Sequence, residues 1–277
     1  MRRLLSTPLC FLLWLNVFTI GNTAGPAARA GNLISNGTFE KGAGAGPDGW
    51  EKPDGLTVQW KPGGVHGGKA LILDTTVLRK EAERNQATPG AVTEKSAYQG
   101  KGYDTVGGSS GAGLWSAPFP VEPGQWYLIE ADVKAGSAQT SSIFGPPMVC
   151  LRGFRPATEK ELANSGSLNF FHPMPGTAAF SDEIFGTEKR PPAAGDQLQV
   201  FRANLFCKVT DDQTGKWTHF GRPVHIPTDR FRCDTALIHL AAFWPPSQYA
   251  FDNVSVRKIT PEEAERWKVR QAGEPVP

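Results

Sequence analysis

The stretch Trp126-Tyr127-Leu128-Ile129-Glu130-Ala131-Asp132-Val133-Lys134 decides the fold class. Tyr127, Ile129, Ala131 and Val133 share one parity, and Glu130, Asp132 and Lys134 share the other. A period of two belongs to a β-strand with one face in the core and one in water. Shorter strand-like runs recur at Thr57–Trp60, Ala70–Leu73, Leu114–Phe119, Met148–Phe154, Leu198–Val209, Thr218–Ile226, Ala236–Trp244 and Tyr249–Ile259. Helical periodicity is almost absent between them. The breaks are rich in Gly, Pro, Asp and Ser, with 31 Gly and 23 Pro in 277 residues. Such punctuation predicts an all-β domain of two packed antiparallel sheets.

Two stretches interrupt the rhythm, at about 78–113 and 156–196, and are expected to be long loops. Near the end, Thr260 can cap a helix, Pro261 suits its first position and Glu263 completes a capping box. A short helix is therefore expected over 261–271, within a tail of 259–277 whose last six residues should fray.

The chain opens with Met1-Arg2-Arg3, an apolar run from Leu4 to Ile20 broken at several positions, among them Ser6, Thr7, Pro8 and Asn16, and small residues ending in Ala28-Arg29-Ala30. This is the order of a cleaved secretory signal over residues 1–30, and cleavage after Ala24 is a second option. The apolar run is too interrupted for a transmembrane anchor. Export places the protein outside the cell, on its surface or in the periplasm. Removing Arg2, Arg3 and Arg29 from 29 basic residues leaves 26 against 27 acidic ones. No block of Lys and Arg remains, which excludes the electrostatic footprint of a nucleic-acid binder.

Cys150, Cys207 and Cys233 remain after export. An oxidising compartment permits one disulfide, for which Cys150–Cys207 is the favoured pair because both flank the second insertion. Three buried thiols are the alternative.

Motifs of catalysis fail on context. Gly107-Gly108-Ser109-Ser110-Gly111 matches the G-x-S-x-G nucleophile pattern but sits in a Gly/Ser loop, without the strand and helix that the motif requires. Gly63 to Lys69 fits a phosphate-loop spacing, yet Ala70 stands where a hydroxyl must hold Mg²⁺. Glu130 and Asp132 share a strand face, but the residues that would supply an acid/base beyond them are Lys134 and Ala135. His66, His172, His219, His225 and His239 show no ligand spacing for zinc, and His239 reads as a hydrogen-bonded core or face residue. Two glycosylation sequons, at Asn36 and Asn253, fall on segments with another explanation.

That explanation is a resemblance. Asn32-Leu33-Ile34-Ser35-Asn36-Gly37-Thr38-Phe39-Glu40, then Pro47-Asp48-Gly49-Trp50, resembles the first strand of carbohydrate-binding modules of families 4, 9 and 22, the galactose-binding-like jelly roll. Gly67-Gly68-Lys69-Ala70-Leu71, Val121-Glu122-Pro123-Gly124-Gln125-Trp126-Tyr127, Gly215-Lys216-Trp217 and Tyr249-Ala250-Phe251-Asp252-Asn253-Val254-Ser255-Val256 follow in family order. The resemblance covers residues 32–258 and departs from the family at the two insertions. It implies a two-sheet antiparallel jelly-roll β-sandwich over 31–258. It also implies a structural Ca²⁺ held by Glu40, Asp252 and backbone carbonyls near Lys69. Turn capping by Glu40 and backbone hydrogen bonds to Asp252 form the alternative.

The implied function is non-catalytic glycan binding. Sugars are read by flat aromatic faces and a few fixed polar groups. Trp60 and Trp115 beside loops, and Trp244 and Tyr249 around the turn 245–248, are the aromatic candidates, since Trp50, Trp126 and Trp217 occupy fold landmarks. Arg202 and Asn204 share a parity with Phe206 and Lys208, and with Arg152 they are the polar candidates. The expected partner is a polysaccharide or other glycan. The competing classes are an extracellular interaction domain without a sugar groove, and a lyase or hydrolase whose site is built by the insertions.

Overall fold

The computed structural model describes residues 31–44, 46–138, 145–163 and 197–273. The signal segment, most of the second insertion, His172 and the last four residues lie outside the described residues.

In chain order the strands are β1 (Gly42–Ala43), β2 (Gly46–Pro47), β3 (Val58–Pro62), β4 (Lys69–Asp74), β5 (Ala112–Trp115), β6 (Phe119–Pro120), β7 (Trp126–Ala135), β8 (Met148–Pro156), β9 (Gln197–Phe206), β10 (Thr218–His225), β11 (Thr235–Ala242) and β12 (Gln248–Ile259). Among the described residues three α-helices accompany them: α1 (Arg79–Ala87), α2 (Glu159–Ala163) and α3 (Pro261–Gly273). One five-stranded antiparallel sheet runs β10-β7-β12-β4-β3 and a second runs β5-β11-β8-β9, with β6 paired to β11. Consecutive strands repeatedly change sheet, so the fold is a jelly-roll β-sandwich, as the resemblance implies.

The period of two explains the packing. Tyr127, Ile129, Ala131, Val133 and Ala135 of β7 enter one core with Val149 and Leu151 of β8, Ile238 and Leu240 of β11, and Tyr249 and Phe251 of β12. Each of these side chains is 0–2 % exposed, and fully burying one of the larger aliphatic ones, such as Ile129 or Leu151, contributes about 1.5–3 kcal/mol. The opposite face of β7 is drier than alternation suggests. Leu128 is buried with Ile259 and Ala264 beneath α3, and Glu130 is also buried.

The segment after Gly31 forms turns rather than a first strand, yet it lies along β12. Leu33 N–H donates to the Val256 carbonyl, Val254 N–H donates to Gly37, and the Asn32 carboxamide oxygen accepts from Val256 N–H. Gly37 is required here, because a Cβ would lie 1.8 Å from the Val254 carbonyl oxygen. Both sequon asparagines have positive φ, which Asn tolerates better than most residues. Asn36 Nδ2 donates to the Lys41 and Asp48 carbonyls, and Asn253 Nδ2 donates to Asp132. Their amides hold turns, as expected of fold landmarks.

The first insertion is not simply a loop. It carries α1, whose buried positions are Glu81 and Asn85. Glu81 accepts from Ser96 N–H, while Asn85 donates to the Asp54 carbonyl and accepts from Gly90 N–H. A helix fastened through polar side chains leaves no apolar stripe to read. Leu56, Val77, Val92 and Val106 form a small core beside it. At the C-terminus, Glu263 N–H donates to Thr260 Oγ1, but the Glu263 carboxylate pairs with Arg257 at 2.6 Å instead of closing the capping box.

The Cys150–Cys207 disulfide expected from the sequence does not form, and all three described cysteines are free and buried. The reason is strand parity. Cys207 points into the main core, whereas Cys150 packs with Met148 and Ala241 on the outer side of the second sheet. Side chains on opposite faces of a sheet cannot bridge. Burial raises all three thiols, Cys233 to about 12.

Outside β7, His219 is clamped between two carboxylates. Its Nδ1 lies 2.8 Å from Asp132 and its Nε2 lies 3.3 Å from Glu130. These hydrogen bonds, to Asp132 first, raise its pKa to about 9. Arg257 also lies near Glu130 at 3.6 Å. Glu130 and Asp132 are thus occupied as ion-pair acceptors, and they lie on a different sheet from Arg152 and Arg202.

Two outcomes follow. Thiol titration of a chain carrying residues 31–277 should find three equivalents in denaturant and almost none in the native state; one equivalent in denaturant would show a disulfide. The His219 contribution is complete below its unfolded pKa of about 6.5 and is lost as pH rises through about 9. The melting temperature should therefore fall over that window, and His219→Gln should flatten the fall. An unchanged slope in the variant would contradict the clamp.

Candidate functional site

The second sheet sends one parity into the core and presents the other outward. Antiparallel register aligns the outward residues in rows. Trp115 of β5 stands opposite His239 of β11, His239 opposite Cys150 of β8, and Cys150 opposite Asn204 of β9. In the next row Leu237 faces Arg152, and Arg152 faces Arg202. On the other side Gly113, Ala241, Met148 and Phe206 align. A bulge between Gly153 and Phe154 resets the register, so that Val200 and Ala203 both reach the core while Arg202 and Asn204 stay outside.

Trp115 stacks on the His239 imidazole, with ring centroids 4.1 Å apart and planes 11° apart. Gly113 makes room for that ring, since a Cβ there would lie 2.6 Å from His239 Nε2. His239 is 3 % exposed, and neither ring nitrogen has a hydrogen-bond partner among the described residues. Burial first, then Arg152 and Arg202, push its pKa down to about 3. The imidazole is therefore neutral at physiological pH and offers one donor and one acceptor. Buried polar atoms are nearly always paired in folded proteins, and leaving one unpaired costs about 1–3 kcal/mol. Both nitrogens are enclosed as well as unpaired, so the ring backs the indole rather than offering a ligand an exposed polar atom.

Arg152 is half-buried. Its Nε is buried without a partner among the described residues. Arg202 is exposed and donates from Nε to Asn204 Oδ1 at 3.0 Å. Arg222 of β10 donates to the Asn204 backbone carbonyl. This contact ties the edge of the first sheet to β9.

Four of the seven sequence candidates, Trp115, Arg152, Arg202 and Asn204, thus meet on one face. The other three do not join them. Tyr249 is fully buried in the main core, and its hydroxyl donates to the Pro245 carbonyl. Trp60 belongs to the first sheet, where its Nε1 donates to the Phe39 carbonyl at 2.7 Å and the Lys69 ammonium lies 3.3 Å from its ring centroid. Trp244 lies just beyond β11 and stacks on Tyr103 at 5.4 Å.

Sequence reasoning did not pick out Tyr103, 70 % exposed in the Gly-rich stretch before β5, or Phe243, which packs over the Met148–Cys150–Ala241 patch. It treated His239 as hydrogen-bonded. The signal for His239 was its parity with Leu237 and Ala241, which places it outside the core. Phe206, sharing its parity with Arg202 and Asn204, is 49 % exposed at the margin of the patch.

The carboxylates expected to hold a cation are close to one another. Asp252 accepts from Val65 N–H at 2.8 Å and Asn253 N–H at 2.7 Å, and Glu40 accepts from Lys69 N–H at 3.2 Å. Burial, with Glu40 and Asp132 nearby, raises Asp252 to about 6. The Gly64–Gly68 turn packs against all of these groups. A Cβ on Gly64 would lie 2.6 Å from the Lys69 carbonyl oxygen and 2.8 Å from Asp252 Oδ2, and one on Gly68 would overlap the Glu40 carboxylate. Among the described residues no group of three or more His, Cys, Asp or Glu side chains is placed to hold a metal. Two carboxylates and a carbonyl oxygen nevertheless suit a hard cation that completes its shell with water.

No family model matches the sequence, and no curated protein matches it. The chain is similar to several solved structures. The second family 16 carbohydrate-binding module of one protein matches with 17 % identity and a TM-score of 0.39, covering 81 % of this chain and 99 % of that one. A CBM4 structure matches with 14 % identity and a TM-score of 0.33, covering 82 % and 99 %. The CBM22-1 xylan-binding domain of Paenibacillus barcinonensis Xyn10C matches with 13 % identity and a TM-score of 0.35, covering 84 % and 99 %.

Proposed function

We propose that this protein is an exported, non-catalytic carbohydrate-binding β-sandwich that receives glycan on the outer face of the β5-β11-β8-β9 sheet. The observation that carries this reading is the row Trp115–His239–Cys150–Asn204 beside Arg152 and Arg202. It combines a partly exposed aromatic plane with the surface guanidinium of Arg202 and the carboxamide of Asn204. An indole covers the apolar face of a pyranose ring, and the neighbouring polar groups read its hydroxyls. A binding role without catalysis agrees with the chemistry of the surroundings. The carboxylates that resembled a hydrolytic pair, Glu130 and Asp132, are on the other sheet and engaged by His219.

The same reading includes a structural Ca²⁺ held by Glu40, Asp252 and the Lys69 carbonyl. The ion would join the turn after Gly31 to the Gly64–Gly68 turn and β12, and would offset the repulsion between the carboxylates.

Trp115→Ala should weaken binding to any glycan selected on an array by about tenfold or more, the scale of a central aromatic contact. No binding on the array, or undiminished binding by the variant, would refute the site. A chelator should lower the melting temperature and added Ca²⁺ should restore it, whereas Asp252→Asn should remove the response. Equal melting temperatures with and without chelator would refute the ion.

A further inference from the structure

Arg152 and Arg202 are direct cross-strand partners on the proposed face. Like charges placed opposite each other in an antiparallel pair repel, and Arg152 is also partly removed from water. Such an arrangement is ordinarily compensated by a carboxylate. Among the described residues neither arginine forms an ion pair, although Arg155, two residues from Arg152, is matched by Glu161 at 2.7 Å. The groups that act on Arg152 are Cys150 and Arg202, and those on His239 are Arg152 and Arg202, with no acid in either set. Arg222 adds a third guanidinium at Asn204. Overall charge does not explain this, because residues 31–277 carry 26 basic and 27 acidic side chains. Among the described residues the excess is local to the face.

The geometry points to an anionic sugar as the ligand class, a polysaccharide whose uronate carboxylate or sulfate ester is held between Arg152 and Arg202 while its ring lies on Trp115. This inference rests on the glycan-binding reading and narrows it. A guanidinium presents parallel N–H donors that match the paired oxygens of a carboxylate or sulfate. The anion supplies the charge that the face lacks. Arg202 is pre-oriented for it by its hydrogen bond to Asn204. The neutral His239, enclosed beside Trp115, supports the indole plane and does not compete for the anion.

Titration calorimetry at low ionic strength with two matched pairs tests this: polygalacturonate against its fully methyl-esterified form, and a sulfated galactan against its desulfated form. At least one charged polymer should bind roughly tenfold or more tighter than its neutral counterpart, the effect of a charge-assisted hydrogen bond. The preference should shrink as salt is raised. The pair that shows the preference identifies the anion as carboxylate or sulfate. Arg202→Gln, at an exposed position, should keep the melting temperature and lose most of the preference, and Arg152→Gln should do the same if it folds. Trp115→Ala should weaken charged and neutral polymers alike. Equal binding within both pairs would overturn the anionic class and leave the glycan reading standing. A preference that Arg202→Gln leaves intact would place the attraction elsewhere and also overturn it. No binding to any of the four, together with an empty glycan array, would remove both.

Discussion

Everything in this molecule depends on strands that each bury one parity in a single shared core. β7 and β12 form the middle of the first sheet, and their inward side chains meet those of β8 and β11 from the second. Once that packing is fixed, the other parity of every strand is assigned to one of two outer faces. Those faces diverge chemically. The first sheet is covered at one end by α3 and carries the Asp132–His219–Glu130 clamp. The second presents Trp115 over His239 beside paired arginines.

The alternation that defines the core was legible because it is local: a run such as Tyr127, Ile129, Ala131 and Val133 states its own inward face. Strand positions and the C-terminal helix followed from such runs and from capping residues. Three features were hidden for physical reasons. Helix α1 is held by Glu81 and Asn85 rather than by an apolar stripe, so its periodicity is invisible. Glu263 found a stronger partner in Arg257 than in the helix start. The inward or outward sense of a cysteine depends on register and bulges, and the two cysteines that looked like a pair point to opposite sides of one sheet.

The candidate site was half legible for the same reason. Parity within β9 grouped Arg202 with Asn204, but only the sheet order could bring β8, β11 and β5 beside them. Tyr249 was read as flanking a turn, but it shares its parity with Phe251, and both point into the main core. Trp60 was set apart by sheet order, since β3 edges the other sheet. His239 gained its meaning from its neighbours: an imidazole under an indole, beside a glycine that leaves it space, with both nitrogens unsatisfied.

That imidazole is the most direct witness to what the face does. Long-range ¹H–¹⁵N spectra of the histidine side chains, recorded while a bound glycan is titrated to saturation, resolve His239 from His219 on the opposite sheet. The account predicts that the His239 nitrogens shift as a sugar ring settles on Trp115, whose indole stacks on the imidazole, while those of His219 stay in place. Saturable binding that leaves His239 unmoved would contradict it.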